Sequence, residues 1–395
     1  SVSLAANTTG QHNTAVGMGA LNANTTASNN TSVGRSSLAN NTTGDQNTAL
    51  GSQALITNTT GTNNTAIGYY ALHQNSTGIQ NIAIGSYALD ANTTANNNTS
   101  IGHAALSENT TGANNTALGS SALFANTTAD NNTAVGKDAL AANTTGTQNT
   151  AMGVQSLDAC TTGTRNTGLG AFALSALTTG NYNVAVGKGS LEATTTSDYN
   201  TALGYESLAL NSTGAQNVAI GGLALDANTT TSNNTAVGHA ALSANTASGS
   251  TAVGHRALTS NTTGAANLAV GKDSLFANTT GNYNIAIGYD ALQQNNASYN
   301  TAVGHDALKL NTTGASNTAV GSNALDSNTT ASFNSAFGKD ALQANTASNN
   351  TGLGQAALYA NTTGSQNTAV GKGALSANTT GGDSTAVGFN AMGSA

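Results

Sequence analysis

Residues 132–148 read N-T-A-V-G-K-D-A-L-A-A-N-T-T-G-T-Q, and this pattern recurs along the whole chain. The glycine of the N-T-A-V-G segment occurs 23 times between Gly17 and Gly388; 19 of the intervals are 17 residues long and three are 16. Helical repeats need about 30 residues or more, whereas this period suits one coil of β-structure. The sequence therefore predicts an all-β protein, a parallel β-solenoid or β-roll of about 23 coils. Because composition does not change along the chain, we expect residues 1–395 to form a single continuous domain.

The composition excludes several classes of partner. Only 6% of the 395 residues are charged, the net charge is −7, and the nine cations are scattered. Nucleic-acid binding needs clustered cations to neutralise phosphates, so we expect no nucleic-acid partner. No run of 18 apolar residues occurs, so we expect no membrane insertion. The one cysteine, Cys160, stands where the repeat usually has Asn, and we interpret it as a tolerated substitution.

We number repeat positions from the Asn of N-T-A-V-G as position 1. In a strand, positions 2 and 4 share one face. Position 4 is always apolar, and position 2 is Thr in 17 copies, Ser in one and aliphatic in five. We predict that position 4 and the Leu at position 9 form the inner core. The predicted inner-core ladder contains Val16, Leu21, Leu38, Leu50, Leu55, Ile67 and Leu72.

The opposite face of the strand carries only small residues. Position 3 is Ala, Ser or Gly, and position 5 is Gly in all 23 copies. A face open to water would accept a long polar residue in some copies, so we predict that a second chain packs closely here. The alternative is that these residues serve strand curvature and tight turns. The candidate self-association face consists of Ala15, Gly17, Ala49, Gly51, Ala66 and Gly68.

Asn at position 1 is interpreted as a corner residue that stacks into a ladder along the axis, because Asn tolerates left-handed backbone and identical amides stack well. The ladder begins with Asn13, Asn30, Asn47 and Asn64. The N-T-T-G segment is the other turn. The three 16-residue coils lack a residue in this segment, as expected of a surface loop.

Positions 6 and 7 vary most and hold five of the six Lys and four of the six His. We interpret them as solvent-facing, with Lys-Asp pairs that favour solubility. His239 and His255 fall in consecutive coils and should stack about 5 Å apart. Two imidazoles without further ligands do not predict a metal site. No catalytic constellation, phosphate loop or dinucleotide motif stands out, so we expect no catalytic residue, cofactor or metal, and no enzyme.

The motif N-T-A-V-G-x-x-A-L, present at 13–21, 132–140 and 317–325, resembles the head repeats of YadA-type trimeric autotransporter adhesins. The N-I-A-I-G variants at 81–85 and 284–288 are similar to it. Repeats of phage tail-fibre type also resemble this motif. The resemblance implies a left-handed β-roll, association of several copies along its length, and binding to surface or matrix ligands. The period here is a few residues longer than in those heads.

These observations favour an extracellular or cell-surface structural or adhesive fibre subunit, which assembles with copies of itself through its faces or its ends. Two alternatives stay open. An ice-binding β-solenoid would use Thr ladders such as Thr14, Thr31 and Thr48 to order water. A phage tail-fibre shaft would use the same repeats as a passive spacer.

Overall fold

The structure is a computed structural model that describes residues 2–393. Within this range the regular elements are 23 strands of three residues each, connected by turns, and no helix occurs. The chain divides into two compact units, one up to Tyr199 and one from Asn200 onward. The predicted all-β parallel β-solenoid with one strand per repeat is therefore confirmed. Its left-handedness and the single continuous domain stay predictions.

In the first unit each strand pairs in parallel with the next strand along the chain, and equivalent repeat positions lie opposite one another. Thr48 thus pairs with Thr65, and Leu50 with Ile67. The unit contains β1 (Thr14–Val16), β2 (Thr31–Val33), β3 (Thr48–Leu50), β4 (Thr65–Ile67), β5 (Ile82–Ile84), β6 (Thr99–Ile101), β7 (Thr116–Leu118), β8 (Thr133–Val135), β9 (Thr150–Met152), β10 (Thr167–Leu169) and β11 (Val184–Val186).

The second unit has the same parallel order, and its three short coils do not disturb the register. Thr235 still pairs with Thr251, although only 16 residues separate them. The missing residue is absorbed in the turn, where Asn245 Nδ2 reaches the carbonyl two residues on instead of three. The unit contains β12 (Thr201–Leu203), β13 (Val218–Ile220), β14 (Thr235–Val237), β15 (Thr251–Val253), β16 (Leu268–Val270), β17 (Ile285–Ile287), β18 (Thr301–Val303), β19 (Thr318–Val320), β20 (Ser335–Phe337), β21 (Thr351–Leu353), β22 (Thr368–Val370) and β23 (Thr385–Val387).

The apolar core of each coil consists of two small residues and one large one. Ala at positions 3 and 8 and Leu at position 9 are fully buried in most coils, as in Ala49, Ala54 and Leu55. The prediction that the position-9 leucines form an inner ladder is confirmed. The predicted members of that ladder with no exposed surface are Leu21, Leu38, Leu55 and Leu72.

The prediction that position 4 also faces inward was wrong. Val16 is 57% exposed and Leu50 is 46% exposed, while Ile67 is half-buried. The interior of the coil is too thin to hold a branched side chain on the strand as well as the leucine at position 9. At Gly352, a Cβ would already lie 3.3 Å from Leu342 Cγ of the preceding coil. Only Ala, Ser or Gly fits at position 3, so the larger side chains at positions 2 and 4 point outward.

The candidate self-association face was therefore wrong as well. Ala49 and Ala66 are fully buried inside their own coils, and Ala15 is half-buried in the first strand. The glycines are needed for the backbone conformation, in line with the alternative that these residues serve strand curvature and tight turns. Gly17, Gly51 and Gly68 have φ of +125°, +141° and +136°, a region that disfavours side chains. A Cβ on Gly51 would lie 2.4 Å from the Gly68 carbonyl oxygen.

Candidate functional site: the strand face

The outward side of the strands forms one continuous surface in each unit, which we call the strand face. It consists of the side chains at positions 2 and 4, such as Thr116 and Leu118 in β7. Thr116 is half-buried, and Leu118 is 44% exposed. Eleven strands spaced at about 4.8 Å give the strand face of the first unit a length of roughly 50 Å.

The strand face is uncharged in every coil. Position 4 is Val, Ile, Leu, Met or Phe, and position 2 is Thr, Ser or an aliphatic residue. In five strands both outward residues are aliphatic, so the outward side of these strands is fully apolar. The first residues of these strands are Ile82, Val184, Val218, Leu268 and Ile285. Soluble monomers rarely expose contiguous apolar patches larger than a few hundred Å², so an uncharged stripe of this length is an unusual surface for a monomer.

The threonines of the strand face differ chemically from those of the N-T-T-G turn. At position 13 the hydroxyl is bonded within the fold: Thr42 Oγ1 donates to the carbonyl of Thr59 at 3.0 Å. At position 2 the hydroxyls of Thr31 and Thr48 have no hydrogen-bond partner among the described residues. The strand face therefore presents hydroxyl groups that are available to water or to another molecule, beside a row of aliphatic side chains.

Charged side chains lie at positions 6, 7, 10, 11, 16 and 17, and none lies at position 2 or 4. Asp273 accepts hydrogen bonds from Arg256 Nε at 2.8 Å and from Lys272 Nζ at 2.7 Å. Burial raises the pKa of Asp273, but the two cations outweigh it and leave the pKa below its usual value. Lys309 bridges Asp290 and Asp306 at 3.0 Å each. The prediction that positions 6 and 7 face solvent therefore does not hold in every coil, because Asp273 and Asp290 are buried.

Two rows of buried asparagines hold successive coils together. The row at position 1 includes Asn30, Asn47 and Asn64, all buried, and Asn13, which is half-buried at the first coil. These four residues lie at the corner that leads into the strand, as predicted. A second row, at position 12, includes Asn41 and was not predicted as a buried ladder.

In the second row Asn41 Nδ2 donates to the carbonyl of Gly44 at 2.9 Å and to Asn24 Oδ1 of the preceding coil at 3.1 Å. The recurrence of Asn at position 12 was the available signal. Turn preference explains Asn at this position only in part, because a turn alone does not require the same amide in nearly every coil. Because Asn41 is fully buried, the Asn-Thr-Thr sequence that it begins, which matches the N-x-S/T pattern for N-glycosylation, is not accessible in the folded chain.

Cys160 lies in the second row and interrupts it. Its thiol is buried and lies 3.7 Å from the carbonyl oxygen of Gly163. Burial raises the pKa of the Cys160 thiol to about 11. Asn143, one coil earlier, has a buried Oδ1 without a hydrogen-bond partner, since Cys160 offers no amide there.

The predicted stacking of His239 on His255 is confirmed, with ring centroids 5.6 Å apart. Among the described residues neither unit has a pocket, and no three His, Cys, Asp or Glu side chains lie where they could share a metal ion. Residues 2–393 also contain no helix with the length and apolar character needed to span a membrane. We found no match to this chain among protein-family models or among curated proteins.

Proposed function

We propose that this chain is a structural subunit of an extracellular or cell-surface fibre, and that it assembles with further copies of itself through the strand face. The observation that carries the proposal is the absence of charge at positions 2 and 4 in all 23 repeats. Exposed positions normally acquire Lys, Glu or Asp in some copies, because charged residues favour solubility. At positions 6 and 7 of the same coils they do.

A second copy of the chain fits this surface better than an unrelated partner. The strand face repeats once per coil, so only a surface with the same spacing can make the same contact at every coil. Thr and aliphatic side chains are also compatible with themselves, since an uncharged surface causes no like-charge repulsion on self-association. Obligate homomeric interfaces are typically more apolar than other protein surfaces.

The extracellular location and an adhesive role are supported by the resemblance of N-T-A-V-G-x-x-A-L to adhesin head repeats. An adhesive fibre would keep the strand face inside the assembly. The side chains at positions 6, 7, 10 and 17 would then face surface or matrix ligands.

Sedimentation velocity across a range of concentrations tests self-association. We expect a defined oligomer or a filament, and no species at the 38.6 kDa mass of one chain except at high dilution. A monodisperse monomer at micromolar concentration would contradict the proposal.

Ice binding is the second candidate, and the outward threonines favour it. A flat row of hydroxyls such as those of Thr31 and Thr48, without protein partners, is a surface that can order water. The five strands that have Ile, Val or Leu at position 2 interrupt this row. If the chain is monomeric, thermal hysteresis of its solutions would support ice binding, and the absence of thermal hysteresis would contradict it.

A further inference from the structure

Five aromatic rings form a cluster on one corner of the first unit, which we call the aromatic patch. The patch consists of Tyr69, Tyr70, His73, Tyr87 and His103, from three consecutive coils. Tyr70 stacks on His73 with centroids 4.4 Å apart, and Tyr69 meets the edge of Tyr87 at 5.5 Å. Tyr87 in turn lies 6.3 Å from His103. Elsewhere in residues 2–393, ring contacts occur only as isolated pairs.

The aromatic patch is exposed, with Tyr69 46% and Tyr87 39% accessible. A hydrogen bond with Tyr69 raises the pKa of Tyr70 above its usual value. Burial lowers the pKa of His73, which favours a neutral imidazole. The rings therefore offer π-faces and hydroxyl groups on a surface with few charges, of which Arg35 is close enough to act on Tyr70.

One carboxylate lies at the margin of the patch. Asp90 occupies the same repeat position as His73, one coil later, and accepts a hydrogen bond from Ser107 Oγ at 2.5 Å. Burial has the largest effect on Asp90 and leaves its pKa above the usual value, although the hydrogen bond from Ser107 and the neighbouring His73 oppose this. A carboxylate is an acceptor for up to four hydrogen bonds, so Asp90 has capacity left for ligand hydroxyls.

The size of the patch selects the kind of ligand. Three coils extend about 14 Å along the axis, and the patch has five side chains. A stable protein interface needs about 800 Å² and 20 to 30 residues on each side. The patch is too small for that and has the size of a short chain of sugar rings. Sugar rings also combine apolar C–H faces, which pack on aromatic rings, with hydroxyls that need donors and acceptors.

We propose that the aromatic patch binds a neutral oligosaccharide, with pyranose faces packed on Tyr69 and Tyr87 and hydroxyls bonded to the tyrosine hydroxyls and Asp90. The surface is open rather than concave, so one patch should bind weakly, with Kd on the order of millimolar. In the fibre of the proposed function, many copies would present the patch together, and avidity would strengthen attachment. Only this strengthening rests on the proposed function, because binding by one patch does not need assembly.

The test is a titration of the chain with cellotetraose, followed by NMR of the tyrosine ring protons. We expect saturable shifts of the Tyr69 and Tyr87 resonances. Tyr69→Ala and Tyr87→Ala should each weaken binding at least about tenfold. Tyr199→Ala removes an exposed tyrosine outside the patch and should leave the affinity unchanged. Circular dichroism confirms that each variant is folded.

Three outcomes would overturn this inference: no shifts up to tens of millimolar, shifts that persist in Tyr69→Ala and Tyr87→Ala, or equal loss in Tyr199→Ala. Repeating the titration on a strand-face variant, Leu203→Lys, separates the two proposals. Binding by a monomeric variant would support the oligosaccharide site whether or not the wild-type chain assembles.

Discussion

Asn30 Oδ1 accepts a hydrogen bond at 2.9 Å from the backbone N–H of Asn47, which lies one coil further along the chain. Asn47 repeats this contact with Asn64 at 3.0 Å. Each of these buried amides also donates, since Asn47 Nδ2 bonds to the carbonyl of Gly61 at 2.8 Å. One side chain therefore satisfies backbone groups at two corners, in a core too thin for much hydrophobic burial. This relationship explains why position 1 is Asn in almost every coil.

Replacing Asn47 by Ala should destabilise the first unit by about 2–4 kcal/mol, because it leaves the buried N–H of Asn64 without its acceptor. Asn47→Ser should cost less. Serine occurs naturally at this position, where Ser250 Oγ accepts from the N–H of Asn267 at 3.3 Å. Native-state hydrogen exchange of the Asn64 amide and the urea unfolding midpoint measure both effects. Equal stability of Asn47→Ala and wild type would contradict the role given to the amide.

Gly51→Ala should destabilise the fold by about 3 kcal/mol or more, because the new methyl group meets the Gly68 carbonyl at positive φ. Gly19→Asn is the matched control. Gly19 also has positive φ, but a Cβ there would lie 3.6 Å from Ser36 Oγ, an ordinary contact, and Gln53 occupies the same position in a later coil. We expect Gly19→Asn to change the unfolding midpoint little. Similar losses in both variants would show that close approach between coils is not the cause.

The fold was predictable because the period, the Gly positions and the turn residues repeat many times over. Which face of the strand points into the core was not predictable. Large apolar residues normally face inward, and on that rule Val16 and Leu50 were placed in the core. The rule fails here because position 3 lies against the leucine of the preceding coil, as a Cβ at Gly352 would lie 3.3 Å from Leu342 Cγ. Uniform size at position 3, with Ala, Ser and Gly in every copy, was the signal of a tight interior.

The candidate site was predictable only in part. Self-association is a hypothesis that follows from the two restricted faces of the strand, and the sequence pattern places it on the face that the structure shows to be buried. The aromatic patch depends on side chains from different coils, such as Tyr70 and Tyr87, that meet only when the register is known. The buried charge of Asp273 depends likewise on Arg256 one coil earlier, which no local pattern indicates.

Cys160 should be inert in the native protein, since its thiol is buried and its raised pKa of about 11 leaves little thiolate at pH 8. We expect no reaction with 5,5′-dithiobis(2-nitrobenzoate) until urea opens the surrounding coils. The labelling rate as a function of urea then reports the local stability of the region. Labelling of the native chain at the rate of a free thiol would contradict the burial of Cys160.

Asp158 should make stability fall as pH rises. Burial raises its pKa, so the unfolded state loses its proton at a lower pH than the folded state does. Ionisation therefore favours unfolding from about pH 4 upward, and protonation removes the penalty at low pH. Asp158→Asn should raise the thermal midpoint at pH 7 and leave it unchanged at pH 3.

Asp273→Asn should change the thermal midpoint at pH 7 in the opposite direction from Asp158→Asn. The pKa of Asp273 is lowered by its pairing with Arg256 and Lys272, so its charge stabilises the fold above its unfolded pKa. This stabilisation is lost as the pH falls. Asp273→Asn should therefore lower the thermal midpoint at pH 7 and have little effect at pH 3. The same sign of change for Asp158→Asn and Asp273→Asn at pH 7 would contradict the account of both residues.

The most direct test of the central claim compares two substitutions in one coil. Leu203 is 46% exposed on the strand face, and Leu210 is 56% exposed away from it. Both leucines are changed separately to Lys, and the mass of each variant in solution is measured by sedimentation velocity beside the wild type. The account predicts an assembled wild type, an assembled Leu210→Lys variant, and dissociation of Leu203→Lys with its fold intact by circular dichroism. A monomeric wild type, or assembly that survives Leu203→Lys but not Leu210→Lys, would contradict it.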